Sequence, residues 1–272
     1  MAKLSFSTLF CPGYSPEEVI DLLKNNGLDA VEIRMAPNTW SGVEYEDEWQ
    51  IISEKFRENN ITVTDVGSSV TVKGIKSREE ELAAADAALK FAKIFKAKAI
   101  RIFAGNWARE IPETPSELCF EKIVEYIKYL CDKAAKDNLS VWLETHNYEF
   151  SSGASIKKLA DAVGRENFKM IWDVLHSLEA GESLAETVER AGDIIAHVHY
   201  KDAVPFEEKN MFLWKHTILG EGKVDIRKAI ELLEEKNYGG YYSLEWEGNG
   251  KAELKDLNLS PEAVLDKYIK LF

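Results

Sequence analysis

The sequence predicts an α/β protein built as a single-domain (β/α)8 TIM barrel, and three observations carry that prediction. Short β-rich runs alternate with longer helical patterns from one end to the other, as repeated βα units around a parallel sheet require. Eight such units fit in 272 residues, and a barrel of roughly 250 residues is ordinary as one domain, here the whole of 1–272. Glu, Asp and His also stand at the C-terminal ends of successive strand-like runs, the rim on which barrels place their chemistry.

The first strand is read over 4–8 (LSFST) and leads to a helix over 16–26, which Ser15-Pro16-Glu17-Glu18 opens as a capping box and Gly27 closes. The second strand, 29–34 (DAVEIR), precedes a helix over 45–59. The third, 61–66 (ITVTDV), precedes one over 78–96 that opens on a second box, Ser77-Arg78-Glu79-Glu80. The fourth and fifth strands, 99–104 (AIRIFA) and 139–145 (LSVWLET), are followed by helices over 115–137 and 155–163, the latter capped by Gly164. The sixth and seventh, 168–173 (FKMIWD) and 194–200 (IIAHVHY), lead to helices over 182–191 and 225–236. The eighth, 241–246 (YYSLEW), is followed by a helix over 261–270 that starts with Pro in its first turn, after Ser260. The longest loops, 105–114 and 201–224, follow the fourth and seventh strands.

Bulk properties narrow the function. The net charge of −13 opposes phosphate polyanions and anionic membranes, so nucleic acid and lipid surfaces are not expected partners. The start MAKLSFSTLF has no cleavage site of a secretory signal and no run approaches ~18 apolar residues, so a cytoplasmic location is the expectation. Cys11, Cys119 and Cys131 form no C-x-x-C pair, and no disulfide is expected.

A barrel strand is covered on one face by helices and on the other by packed side chains, so polar residues in it need a reason. Alternation puts Glu32 with Arg34, Glu144 with His146, His197 with His199, and Glu245 with Glu247 on one face each, while Val31, Ile33, Leu143, Val198 and Leu244 face the helices. The charged set therefore points inward, where a lone carboxylate must be paired, protonated or bound to a metal. Four consecutive strands end in Glu144, Asp173, His199 and Glu245, a ligand set suited to one divalent ion, Mn²⁺ or Mg²⁺ first and Co²⁺ or Zn²⁺ as alternatives. Glu247 is the rival to Glu245, but it abuts Gly248-Asn249-Gly250, and a ligand needs rigid backbone. Glu32 reads as half of a buried ion pair with Arg101, and His197 as a core or outer-layer histidine.

All five histidines fall in the second half of the chain. His176 follows Asp173 by three residues and can lean back over the site toward a substrate oxygen, and His146 shares the face of Glu144. Trp40, Trp107 and Trp214 lie in loops after strands and serve either as loop anchors or, Trp107 foremost, as an apolar wall for a sugar. Lys201, Lys215 and His216 are either solvated loop residues or, Lys201 foremost, contacts for a substrate anion.

The segments LETHN (143–147), WDVLHSL (172–178), HVHYKD (197–202), LGEGKVD (219–225) and YSLEWEG (242–248), with VEIR (31–34), together resemble the xylose isomerase-like barrel superfamily of sugar (phosphate) isomerases and epimerases. The resemblance covers nearly the whole chain. It implies that Glu144, Asp173, His199 and Glu245 are metal ligands and that His176 touches substrate. It also implies a small sugar or polyol substrate, with proton transfer next to a carbonyl through an enediolate in which Glu144 and Glu245 exchange the proton. A metal-dependent dehydratase of a keto-polyol, of the inosose or 3-dehydroshikimate type, is the alternative it leaves open. The endonuclease branch carries extra histidines after the third and fourth strands, where this chain reads TDVGSS (64–69) and IFAGNW (102–107). The ketose 3-epimerases carry an Arg shortly after the seventh-strand His, where this chain has Lys201 and then Val204-Pro205. Barrels of this kind commonly associate, so a homo-oligomer is allowed.

Overall fold

The computed structural model describes residues 2–248 and 250–272, so Asn249 of the glycine-flanked turn lies outside the described residues. Eight parallel strands follow one another around a closed barrel: β1 (Lys3–Ser7), β2 (Ala30–Arg34), β3 (Thr62–Gly67), β4 (Ala99–Ala104), β5 (Ser140–Glu144), β6 (Phe168–Asp173), β7 (Ile195–Tyr200) and β8 (Tyr241–Leu244). β8 pairs with β1 at Leu4 and Tyr242, and β3 meets β4 at Val66 and Ile100. The principal helices between them are α1 (Pro16–Asn25), α2 (Trp49–Glu58), α3 (Ala85–Ile94), α4 (Phe120–Ala134), α5 (Gly153–Val163), α6 (Leu184–Ala191), α7 (Ile226–Glu235) and α8 (Pro261–Ile269). No helix among the described residues is long and apolar enough to cross a membrane.

Local chemistry fixes where these helices begin. Ser15 accepts from the Glu18 N–H while the Glu18 side chain accepts from the Ser15 N–H, and Pro16 fills the first turn of α1. The same reciprocal pair, Ser183 and Glu186, starts α6. From these ends α1 directs Val19, Ile20, Leu22 and Leu23 into the layer between helices and strands. A separate small cluster of Ala99, Trp142 and Ile171 lies inside the barrel. Each of these residues stands two positions before Arg101, Glu144 or Asp173, so alternation carries the interior from an apolar floor to a charged layer at the strand ends.

The helix expected over 78–96 is broken. A four-residue helix, Arg78–Glu81, stops because the Glu81 carboxylate accepts from the N–H groups of Lys73, Gly74, Ile75 and Lys76 at 2.7–3.0 Å, and α3 starts afresh at Ala85. The helix expected over 115–137 begins only at Phe120, because Cys119 is extended and its N–H donates to the Lys73 carbonyl at 3.1 Å. A six-residue helix, Val174–Glu179, follows Asp173 directly, in a stretch to which the sequence pattern assigns no element. The eighth strand stops at Leu244 rather than 246, yet Glu245 is held to the sheet by its N–H, which donates to the Tyr200 carbonyl at 3.0 Å.

Candidate metal centre

Strand ends bring Glu144, Asp173, His199 and Glu245 together: one donor atom from each lies within 4.8 Å of the others. All four side chains are buried, none more than 3% exposed. Glu245, not Glu247, belongs to this group; Glu247 sits one layer outward, 3.0 Å from Lys201 Nζ. Asp173 is aimed by the short helix it starts. Its Oδ1 caps the Leu175 and His176 N–H groups at 2.9 and 3.4 Å, which fixes the side chain and leaves Oδ2 facing the centre.

His199 is held from behind. Its Nε2 lies 2.6 Å from Glu32 Oε2, while Nδ1 lies 3.5 Å from both Glu144 Oε1 and Glu245 Oε2. A histidine that gives its far nitrogen to a carboxylate presents the near one as a metal donor. The buried ion pair expected between Glu32 and Arg101 is present, and Glu32 shares itself between Arg101 and His199. Arg101 Nη1 is 3.6 Å from Glu32 but 2.9 Å from Glu144 and 3.2 Å from Glu245, since the guanidinium reaches up from β4 toward the strand ends. Ser7 Oγ, 3.0 Å from Glu32 Oε1, takes a share of that carboxylate. Gly67 makes room for the network, because a Cβ there would stand 2.9 Å from Glu32 Oε1 and 3.3 Å from Arg101 Nη2. His197, as expected, is a core histidine: it stacks on Trp142 at 5.9 Å and lies 3.7 Å from Glu32 and 3.8 Å from Asp65.

Lys201 departs from both readings of a loop lysine. It is 2% exposed, and its ammonium is taken up by Glu245 (2.6 Å), Asp173 (2.8 Å) and Glu247 (3.0 Å) rather than left for a substrate anion. Burial works against the charge of Lys201, but Asp173, Glu245 and Glu247 outweigh it and hold its pKa well above the ordinary value. Burial works equally against ionised Glu245, yet Lys201, His199 and Arg101 hold it well below the usual carboxylate range. Glu144 is lowered in the same way, against burial and Glu245, by Arg101 and His199. Burial raises Asp173, with Glu245 and Glu144 adding to it.

Two observations test whether a cation fits. Glu144 Oε2, Asp173 Oδ2 and His199 Nδ1 are buried without a hydrogen-bond partner, although Arg101 and Lys201 stand near the first two. Around them five buried carboxylates, Glu32, Asp65, Glu144, Asp173 and Glu245, face the buried cations Arg101 and Lys201 and the His199 imidazole, which, against burial, Glu32, Glu245 and Glu144 hold well above its ordinary pKa until a metal takes the place of its proton. Three carboxylates and one imidazole with free lone pairs and surplus negative charge fit a divalent cation.

The remaining sequence candidates spread over the rim. His176 is 4% exposed, with Nε2 3.5 Å from Asp173 Oδ2, and His146 packs edge-on against its ring at 4.7 Å. Burial pushes His146 down to about 4 and His216 to about 3, so both are neutral near pH 7. Trp107 is 60% exposed on the loop after β4, outside the buried cluster. Trp40 is a loop anchor: it packs 5.8 Å from Phe56, and its Nε1 donates to the Tyr14 carbonyl at 3.1 Å. Sequence reasoning passed over Asp202 and Glu179. Asp202 accepts from the N–H groups of Ala203, Gly220, Gly222 and Val224 and folds the end of the long loop around itself. Its signal was the Asp directly after Lys201 at the mouth of a glycine-rich loop.

Comparison with known proteins agrees with this architecture. The chain is 23% identical over 260 residues to a 3-dehydroshikimate dehydratase of Bacillus anthracis, covering 88% of this chain and 90% of that one. The crystal structure of the IOLI protein, which holds a zinc atom, superposes with a TM-score of 0.80 at 18% identity, over 99% of this chain and 96% of that one. The 3-keto-D-glucoside 4-epimerase YcjR of E. coli gives a TM-score of 0.75 at 18% identity, over 100% and 99% of the two chains. Epimerases and dehydratases thus share the barrel. The profile described as Xylose isomerase-like TIM barrel matches residues 20–267, and the chain belongs to that family.

Proposed function

We propose that the protein is a metal-dependent isomerase or epimerase of a small sugar, sugar phosphate or polyol that carries adjacent carbonyl and hydroxyl oxygens. The observation that carries this reading is the pair Glu144 and Glu245, each with an oxygen 3.5 Å from His199 Nδ1 and both held ionised. A divalent cation, Mn²⁺ or Mg²⁺ first and Co²⁺ or Zn²⁺ next, bound by Glu144, Asp173, His199 and Glu245, would supply a Lewis acid for the negative charge that develops on those oxygens. Glu144 and Glu245 move the protons: one carboxylate takes the proton from the carbon beside the carbonyl and later releases it to water, while the other takes up a proton from water and donates that one to carbon. Return to the same carbon gives epimerisation, and return to its neighbour gives isomerisation. Arg101, bridging the two glutamates from below, keeps both oriented upward and charged. His176 Nε2, buried and unpartnered, meets a substrate hydroxyl, with His146 packed beside it.

The second reading, a dehydratase of a keto-polyol, draws on the likeness to the 3-dehydroshikimate dehydratase. A panel of ketoses, hydroxy-keto acids and keto-polyols incubated in deuterated water separates the two. Deuterium at the α-carbon with no loss of mass as water supports the isomerase or epimerase, and release of water supports the dehydratase. Absence of both from the whole panel, in enzyme shown to hold its metal, would overturn the proposal.

A further inference from the structure

The buried carboxylate of Glu179 lies beside the centre and has no part in the chemistry above. It belongs to the short helix that Asp173 caps, and the spacing of three residues from Asp173 to His176 and again from His176 to Glu179 keeps all three on one face. Glu179 Oε2 lies 2.6 Å from His176 Nδ1, and Glu179 Oε1 accepts from the Trp214 N–H, also at 2.6 Å. The other nitrogen of His176, Nε2, is buried without a hydrogen-bond partner and faces the centre.

Trp214 belongs to the long loop after β7, and that loop is joined to the long loop after β4. The Ile111 N–H donates to the Asn210 carbonyl at 2.8 Å, and the Phe212 and Leu213 N–H groups donate to the Arg109 carbonyl at 3.0 and 3.1 Å. The Phe212 ring packs on Tyr148 at 5.0 Å. The two loops therefore form one cover, and because the four donors and His176 are nearly inaccessible, a substrate reaches them only when a cover moves.

We propose that Glu179 is a positioning residue that serves two partners at once, setting His176 with its proton on Nδ1 so that Nε2 meets the substrate oxygen, and clasping the joined loops shut through Trp214. The cover and the substrate-facing histidine are then set by one carboxylate. This rests on His176 being the substrate contact, but the bond pattern itself does not depend on which reaction is catalysed. Burial pushes the Glu179 carboxyl up to about 7, against the Trp214 N–H and the charge of Lys201, so the ionised acceptor is to be observed above that value.

The test is nitrogen NMR of histidine-labelled full-length protein at pH 8, with and without Zn²⁺, alongside amide hydrogen exchange. His176→Gln identifies the His176 signals. In the wild type His176 should show the Nδ1–H tautomer, and Glu179→Leu should abolish it and speed exchange over 212–216 at least tenfold. His176→Gln should leave the Trp214 amide protected, since the clasp comes from Glu179. Glu179→Gln guards against misfolding: a neutral amide has one acceptor oxygen, so either the tautomer or the protection should fail. A wild-type His176 carrying its proton on Nε2, or a Trp214 amide indifferent to both Glu179 substitutions, overturns the proposal. Failure to bind Zn²⁺ with these signals intact would instead count against the metal-centred reading alone.

Discussion

At the scale of single residues, the centre depends on groups that touch it from behind. Glu32 takes His199 Nε2 at 2.6 Å and so frees Nδ1 toward Glu144 and Glu245. Replacing such a carboxylate costs 10- to 100-fold in metal affinity while leaving the first ligands in place. Glu32→Gln should therefore weaken divalent-cation binding by about that factor in isothermal titration, with an unchanged far-ultraviolet circular dichroism spectrum; undiminished affinity would refute the role given to Glu32. Arg101 makes the opposite case. It neutralises Glu144 and Glu245 at 2.9 and 3.2 Å, and removing one partner of a buried ion pair costs roughly 3–5 kcal/mol. Arg101→Met should destabilise the metal-free protein on that order and gain more melting temperature from added cation than the wild type does; equal gains would show that the guanidinium and the cation do not share the same carboxylates. The four donors were legible because strand alternation and strand ends are sequence properties. Arg101 was legible as a partner of Glu32, but the nearer partner, His199, was not, since both reach the same interior and only side-chain length and direction set the distances.

Among the elements, sequence reading succeeded where local chemistry decides and failed where a distant carboxylate does. Ser15, Ser77 and Ser260 start α1, the Arg78–Glu81 helix and α8 through bonds made within three residues, and the strand runs carry their own period. Glu81 ends a helix by reaching back to 73–76, and Asp202 folds the loop up to Val224, neither of which a local pattern displays. The same loop places His216 under cover, 4% exposed, with Lys201, Glu247, Lys251 and His176 facing it. Burial pushes it down to about 3, from an ordinary value of 6.5. The folded state thus binds fewer protons than the unfolded state between those values, and the stability it contributes is full above 6.5 and lost as pH falls toward 3. Each unit is worth about 1.4 kcal/mol, so the loss is on the order of a few kcal/mol. Denaturant unfolding at pH 7.5 and at pH 4 should show His216→Asn losing markedly less stability on acidification than the wild type; the same loss in both would mean that His216 does not titrate in this way.

For the whole molecule, the barrel collects negative charge at one end of its axis. The chain carries a net charge of −13, and among the described residues five buried carboxylates face Arg101, Lys201 and His199 at the centre, a surplus of negative charge even though, against burial, these carboxylates hold His199 well above its ordinary pKa. Charge of one sign in a buried site opposes the compact state and draws counter-ions to it. A ligand that binds only the folded chain stabilises it by RT ln(1 + [L]/Kd), about 2.7 kcal/mol at a hundredfold excess over Kd. For a chain of this size that corresponds to a rise of roughly 5–10 °C in the unfolding midpoint. Scanning calorimetry of chelator-treated protein against protein resupplied with Mn²⁺, Mg²⁺, Co²⁺ or Zn²⁺ should show such a rise for at least one of them. Asp173→Asn should lose most of it, because Oδ2 is the oxygen turned toward the centre when Oδ1 caps the following helix. The amide oxygen still accepts from Leu175 N–H, but the buried Lys201 ammonium 2.8 Å away loses an ionised partner, so the metal-free midpoint should fall somewhat while the cation-dependent rise disappears. A midpoint that ignores all four cations in the wild type would leave the surplus charge to be met by protons, and the strand-end cluster would then be a structural network rather than a metal centre.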